Sequence, residues 1–399
     1  MITDKSSYSL QHQNKLHIAF IIPDMVLGGV EKSLLALLDA MQGKGFHITL
    51  LLFRRQGELL PYVPDWVDIR EIETVGKLET IRRTISAALS RLGSKKLFLV
   101  AKSIYHKYGS KIIKKIVNIP ETVYDVAIAY KDGAATWYTA QSSIASVKIA
   151  FIHTDFKTAG YNPLSQKKVY NNFAKIFCNS KESKDSFLRA LPEFSDRTEV
   201  FYNIVNPSTI YNLAKSGTSY NDNFSGLRIL TIGRLSHEKG IDKVIEVASR
   251  LKTKNYSIRW YVIGDGPDKN KLMKKAKKLH VENEVIFLGS VINPYRFLAD
   301  CDIYVQPSNY EGYCISLAEA RLFCKPIVTC DFCGAREQIV DGITGIITGM
   351  SVNELFAGVE KLVIDETLRL KFRYNLLHSS CVFGADINGF CDYLGSLKR

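Results

Sequence analysis

Four charged side chains in the second half of the chain stand at spacings suited to binding anions and hydroxyl groups. Arg234 and Lys239 are five residues apart, directly after the apolar run 227–233. Two fixed cations at the start of a helix hold a diphosphate and neutralise charge as it builds on a departing group. A pair of solvated surface cations is the other reading. Glu311 and Glu319 are joined by Gly-Tyr-Cys-Ile-Ser-Leu-Ala. A helix starting near Cys314 or Ile315 leaves Glu311 in the loop and projects Glu319 from the next turn, at most about 12 Å away. Such carboxylates grip hydroxyls of two different sugars while the first helical amides face a phosphate between them, which is the outline of a nucleotide sugar. Without context, both would read as solvated carboxylates. Gly28-Gly29 precedes another helix-like segment, where missing side chains let a phosphate approach the backbone. Gly264-Asp-Gly266-Pro267 is a tight turn or the wall of a nucleotide site. Cys330-Asp-Phe-Cys333 has no second CxxC or His pair to complete a metal site, so we read packing thiols and no metal.

These residues need strand-end loops to hold them. The run 16–22, the loop with Gly28-Gly29 and the periodic segment 30–41 make a strand–loop–helix unit. It recurs about 210 residues later as 227–233, a loop ending Lys239-Gly240, and 241–251. Further short apolar runs lie at 48–53, 126–130 and 149–153, then at 260–263, 285–288, 303–306 and 326–329. Short apolar strands alternating with helices mark parallel sheets buried on both faces, so the expected class is α/β with two doubly wound, Rossmann-like domains. The polar, turn-rich stretch 216–225 reads as the linker. It divides the chain into an N-terminal domain 1–215 and a C-terminal domain 216–381.

The 399 residues suit two or three domains, and the composition, 46% hydrophobic and 23% charged, excludes a disordered or collagen-like chain. No segment offers eighteen uncharged apolar residues, and the first apolar run stops at Pro23, so a soluble cytoplasmic protein is expected. Eight cysteines without a secretion signal read as free thiols. The net charge of +13 is concentrated between Lys77 and Lys115, which hold eleven basic residues against one acid, Glu79. Apolar residues are threaded through this segment at helical spacing. It suits the surface of an anionic membrane, and a helical pair packed on its own domain is the alternative. No nucleic-acid-binding module accompanies it, so nucleic acid is not an expected partner.

In order and separation, Arg234-x4-Lys239-Gly240, Gly264-x-Gly266-Pro267, the 285–289 strand and Glu311-x7-Glu319 resemble the retaining GT-B glycosyltransferases of the large family 4 (group 1). Gly28-Gly29-Val30-Glu31 fits the first helix of that family. The resemblance spans about 16–347 and is thin between residues 63 and 144. It implies two domains facing a central cleft, with 382–399 crossing back to the first. By the same resemblance, Arg234 and Lys239 hold the donor diphosphate, Glu311 contacts the transferred sugar, and Glu319 contacts the ribose. Amides near Tyr313, Cys314, Ile315 and Ser316, and at Gly29, meet donor phosphate or sugar. The Gly264–Gly266 turn and residues after Leu288 border the base, and His153 stands near the reacting carbon, with Asp155 a weaker candidate beside it.

The implied reaction moves a hexose-type sugar from a nucleoside-diphosphate sugar to an acceptor hydroxyl, with retention and without a metal or other cofactor. A lipid-linked saccharide of bacterial surface polysaccharide assembly is the expected acceptor, with the enzyme peripheral at the inner face of the cell membrane. A sugar-nucleotide epimerase of the same fold and a non-catalytic subunit binding a partner or the membrane stay open as alternatives.

Overall fold

The computed structural model describes residues 15–72, 124–216, 219–379 and 385–398. The basic segment between Lys77 and Lys115 lies outside the described residues. Contacts divide the chain into two units: residues 1–179, 183–202 and 385–399 form the first, and 180–182 and 203–384 the second.

Among the described residues, the first unit holds a seven-stranded sheet: β1 (Leu16–Ile22), β2 (Phe46–Leu52), β3 (Asp68–Glu71), β4 (Tyr124–Ala129), β5 (Ala145–Ile152), β6 (Lys175–Cys178) and β7 (Thr198–Val200). Their spatial order is β3-β2-β1-β4-β5-β6-β7, and all pairings are parallel. β1 reads Leu-His-Ile-Ala-Phe-Ile-Ile and is buried along nearly its whole length, as a strand covered on both faces must be. The chain reverses its direction of winding between β1 and β4, and the loops leaving their carboxyl ends flank that point. Residues 385–399 belong to this unit. In the helix Ile387–Ser396, Phe390, Cys391 and Leu394 are buried. The Phe390 ring stands 4.9 Å from Phe201, 5.5 Å from Phe177 and 6.0 Å from Phe151.

The second unit repeats the plan with six strands: β8 (Leu227–Ile232), β9 (Ile258–Ile263), β10 (Val285–Gly289), β11 (Ile303–Gln306), β12 (Ile327–Cys330) and β13 (Ile346–Thr348). The order β10-β9-β8-β11-β12-β13 puts its reversal between β8 and β11. The helix Ile241–Thr253 buries Ile241, Val244, Ile245, Val247, Ala248 and Leu251, an apolar stripe at helical spacing.

The change from one unit to the other falls between residues 202 and 203, upstream of the expected linker. The helix Pro207–Ser216 is part of the second unit, where the Tyr211 hydroxyl donates to the Leu322 carbonyl (2.7 Å) and Asn293 Nδ2 donates to the Leu213 carbonyl (2.8 Å). Residues 219–225 are packed surface. Asp222 accepts hydrogen bonds from Arg228 (2.8 Å), Arg259 (2.9 Å) and the Tyr261 hydroxyl. Desolvation works against its ionisation, but those donors prevail and hold the carboxyl below its ordinary range. The stretch is polar because it builds an ion-pair knot.

Candidate active site

In the second unit, the loops leaving β8 and β11 meet at the reversal of strand order, where ligands of open α/β sheets bind. The β8 loop runs through a single 3-10 turn, His237–Lys239, to Gly240. Gly240 has φ +63, and a Cβ there would stand 2.2 Å from the Pro307 carbonyl oxygen, so only glycine allows the two loops this approach. Lys239 Nζ then lies 2.6 and 2.7 Å from the two carboxylate oxygens of Glu311. Burial disfavours the ammonium, but the Glu311 charge and hydrogen bonds outweigh it and hold the Lys239 pKa above its usual value.

Glu311 is fixed from behind as well. The Tyr304 hydroxyl donates to Gln306 Oε1 (2.5 Å), Gln306 Nε2 donates to Ser308 Oγ (2.8 Å), and Ser308 Oγ donates to Glu311 Oε1 (2.8 Å). Gln306 and Ser308 are fully buried, so this relay runs from the strand core to the carboxylate.

The helix after this loop is Ile315–Leu322, so Glu311 is in the loop and Glu319 in the second turn. Cys314 caps it at φ +66, a left-handed conformation that non-glycine residues rarely adopt. Tyr313, Cys314 and Ile315 are buried, and burial pushes the Cys314 thiol far above its usual pKa. Ser316 Oγ is 3.3 Å from Gln306 Oε1 and 3.4 Å from the Ile232 carbonyl, tying the helix start to β8 and β11. The first amides of such a helix have no acceptor within it. Glu319 is 2% exposed and accepts from the Tyr295 hydroxyl at 3.0 Å. Each carboxylate thus has its own partner.

Arg234 is exposed and enters no ion pair among the described residues. Gly264 and Gly266 explain themselves through packing. Added Cβ atoms would come within 2.0 Å of the Gly233 carbonyl oxygen and 2.4 Å of the Leu235 carbonyl oxygen. Their smallness lets the β9 loop lie against the β8 loop, where Leu235 N–H donates to the Asp265 carbonyl (3.0 Å). Leu288, partly buried in β10, precedes Gly289, whose carbonyl accepts from Gly264 N–H (2.8 Å). Cys330 is buried beside Thr348 and Lys243, while Cys333 is half-buried.

Gly28, Gly29 and His153 belong to the first unit. Gly28 is the N-cap of the helix Gly29–Met41. A Cβ there would meet Glu31 Oε2 at 2.3 Å, because the buried Glu31 carboxylate turns back over Gly28 and pairs with Lys131. His153 follows β5 and is 7% exposed, its ring 5.1 Å from that of Tyr130. Its N–H donates to Asp132 Oδ2 (2.8 Å) and its carbonyl accepts from Asn179 (3.2 Å). Asp155 accepts from the Ser186 hydroxyl and from Lys157 N–H (3.1 Å).

Lys131 and Asp132 were not among the residues picked out from the sequence, although they follow the apolar run 126–130 in the loop leaving β4. Desolvation pushes the Asp132 carboxyl up to about 7, against the opposing pull of the His153 N–H and Lys131. A carboxyl whose pKa rises on folding binds its proton more tightly in the folded chain. Its contribution to stability is therefore complete below the unfolded value of 3.8 and is lost as pH climbs towards 7. Asp132→Asn keeps an oxygen acceptor for His153 and removes the charge. We expect its melting temperature to exceed that of the wild type at pH 8, with the advantage shrinking as pH falls to 4. A difference independent of pH would contradict a buried protonated carboxyl.

Residues 222–377 match the family model described as Glycosyl transferases group 1. An N-acetylgalactosaminyltransferase of Campylobacter jejuni, acting on N-acetylgalactosamine-N,N'-diacetylbacillosaminyl-diphospho-undecaprenol, is 29% identical over 50% of this chain and 53% of its own length. The poly(ribitol-phosphate) alpha-N-acetylglucosaminyltransferase of Staphylococcus aureus is 27% identical over 55% of this chain and 43% of its own. The chain thus spans about half the length of the curated relatives it matches. Among solved structures, Anabaena HepE in complex with UDP-glucose superposes with a TM-score of 0.68 at 19% identity, covering 96% of this chain and 98% of that one. S. aureus TarM gives 0.67 at 15% identity, covering 96% and 100%. The two parallel sheets are therefore those of the GT-B fold, and residues 222–377 are similar to the glycosyl transferases group 1.

Proposed function

We propose that the chain is a glycosyltransferase that moves a hexose-type sugar from a nucleoside-diphosphate sugar to an acceptor hydroxyl, with the anomeric configuration retained. The observation that carries this is the Lys239–Glu311 pair at the strand-order reversal of a unit that the group 1 model matches. Lys239 and the exposed Arg234 neutralise the departing diphosphate, the main source of rate enhancement in such a transfer. Glu311 holds hydroxyls of the transferred sugar, and Glu319 those of the ribose. His153 and the Gly29 amide are assigned to sugar and donor phosphate on family resemblance alone. Lysine, arginine and helix amides supply the positive charge that a metal ion would otherwise bring, so metal-independent transfer is part of the proposal.

The Campylobacter relative's diphospho-undecaprenol substrate and the Staphylococcus relative's polymeric one support a lipid-linked or polymeric saccharide acceptor in bacterial surface polysaccharide assembly. The alpha products in their names fit retention from an α-configured donor. Among the described residues no helix is long and apolar enough to cross a membrane. We assign contact with the inner membrane face to the basic segment between Lys77 and Lys115, on its charge and its helical spacing of apolar residues. Replacing Lys107, Lys111, Lys114 and Lys115 with glutamate should reduce co-sedimentation with vesicles containing anionic phosphatidylglycerol. Unchanged pelleting would remove the membrane assignment and leave the transfer reaction untouched.

The transfer itself is tested by a thermal-shift panel of nucleotide sugars. A ligand at 100 times its dissociation constant stabilises the folded state by about 2.7 kcal/mol. The stabilising donor should then be consumed in excess EDTA when a lipid-linked saccharide is added. Consumption without an acceptor would point to epimerisation, and loss of activity in EDTA would show that a metal takes part.

A further inference from the structure

Lys243 is 5% exposed, on the first turn of the helix Ile241–Thr253, and belongs to none of the motifs discussed above. Removing an ammonium from water is costly unless hydrogen bonds replace its hydration. Lys243 Nζ finds three acceptors, each in a different strand-end loop or strand terminus: Asn309 Oδ1 at 3.0 Å, the Met350 carbonyl at 3.4 Å and Cys330 Sγ at 3.5 Å. Asn309 is bound on its other side too. Its Nδ2 donates to the His237 carbonyl (2.6 Å), and its backbone N–H donates to the Glu238 carbonyl (2.8 Å). Asn309 therefore links the turn that ends at Lys239 to the loop that carries Glu311 two residues later.

We infer that Lys243 is a positioning residue for the proposed donor site, acting through Asn309 to fix the Lys239 turn against the Glu311 loop. The functional half of this inference rests on the glycosyltransferase reading above. The three acceptors also exhaust the donor capacity of an ammonium, which a neutral side chain of the same length lacks. A buried lysine serving stability alone would need no connection to the loop pair. Here its shortest hydrogen bond goes to a side chain that bridges them, Asn309.

Acylation of lysines by N-hydroxysuccinimidyl acetate, read by peptide mass spectrometry, tests the linkage without any donor. In the wild type, Lys239 is shielded by Glu311. Lys243→Met and Asn309→Leu should each raise the Lys239 labelling rate about tenfold, the factor carried by one charge-assisted hydrogen bond. Lys252, near the far end of the same helix and paired with Glu284, should label as before. Asn309 is only half-buried, so the second variant remains informative if Lys243→Met fails to fold. Lys243→Arg keeps a charged donor and should restore most of the shielding, which a purely space-filling role would not require. Unchanged Lys239 labelling in the folded variants would overturn the inference, whether or not the chain transfers sugar. Altered labelling with an unchanged donor KM would overturn its functional half alone.

Discussion

If the proposed reaction holds, Lys239→Ala is expected to lower kcat/KM for sugar transfer by about two to three orders of magnitude, the loss typical of removing one preorganised group that stabilises transition-state charge. Glu311→Ala should have an effect of the same order by a different route, because on the proposed reading the transferred sugar loses a fixed hydroxyl partner. The ion pair also has a structural share, and the two must be separated. Lys239→Ala leaves a nearly buried carboxylate facing no ammonium, at a cost of about 1–3 kcal/mol. The double alanine variant removes both charges and should regain much of that stability. It should not regain turnover. Steady-state kinetics beside thermal melts of the three variants decide the matter, and a double variant that recovers activity would remove both residues from the reaction.

The second large effect is expected at Gly240, where alanine meets two penalties. The left-handed conformation costs a non-glycine residue about 1–3 kcal/mol. The new Cβ, 2.2 Å from the Pro307 carbonyl oxygen, then forces apart the loops that hold Lys239 and Glu311. Gly342→Ala is the control, since Gly342 has φ +70 but nothing within 4 Å of the added atom. A fall in melting temperature of about 5 °C or more beyond that control, with weakened donor binding, is expected. Equal effects in the two variants would show that the close loop approach is unimportant.

The sequence disclosed the parts of the fold that bury apolar side chains at a regular period. β1, β8 and β11 are predominantly apolar runs, and the helices after Gly28 and Gly240 have clear stripes. It concealed the sheet margins. β3 reads Asp-Ile-Arg-Glu, and β7 and β13 have three residues each, so none carries a pattern distinguishable from a loop. The unit boundary was misplaced for a related reason. Polarity marks both a solvated connection and a surface knot, and only contacts show that Asp222 is gripped by Arg228, Arg259 and Tyr261. Within the candidate site, the Lys239 and Glu311 spacing was legible because the helix start at Ile315 could be placed in advance. Lys243 and Asp132 were hidden, since a lysine in a charged helix turn and an aspartate before a glycine are usually solvated. Their burial follows from neighbouring loops far away in sequence.

The helix Ile387–Ser396 imposes an order of events on synthesis. The first two hundred residues leave the ribosome well ahead of it, yet the ring of Phe390 fills the space among Phe151, Phe177 and Phe201. Burying a phenylalanine stabilises by about 1.5–3 kcal/mol. Until the whole of the second unit has been translated, the nascent first unit therefore exposes an open aromatic socket.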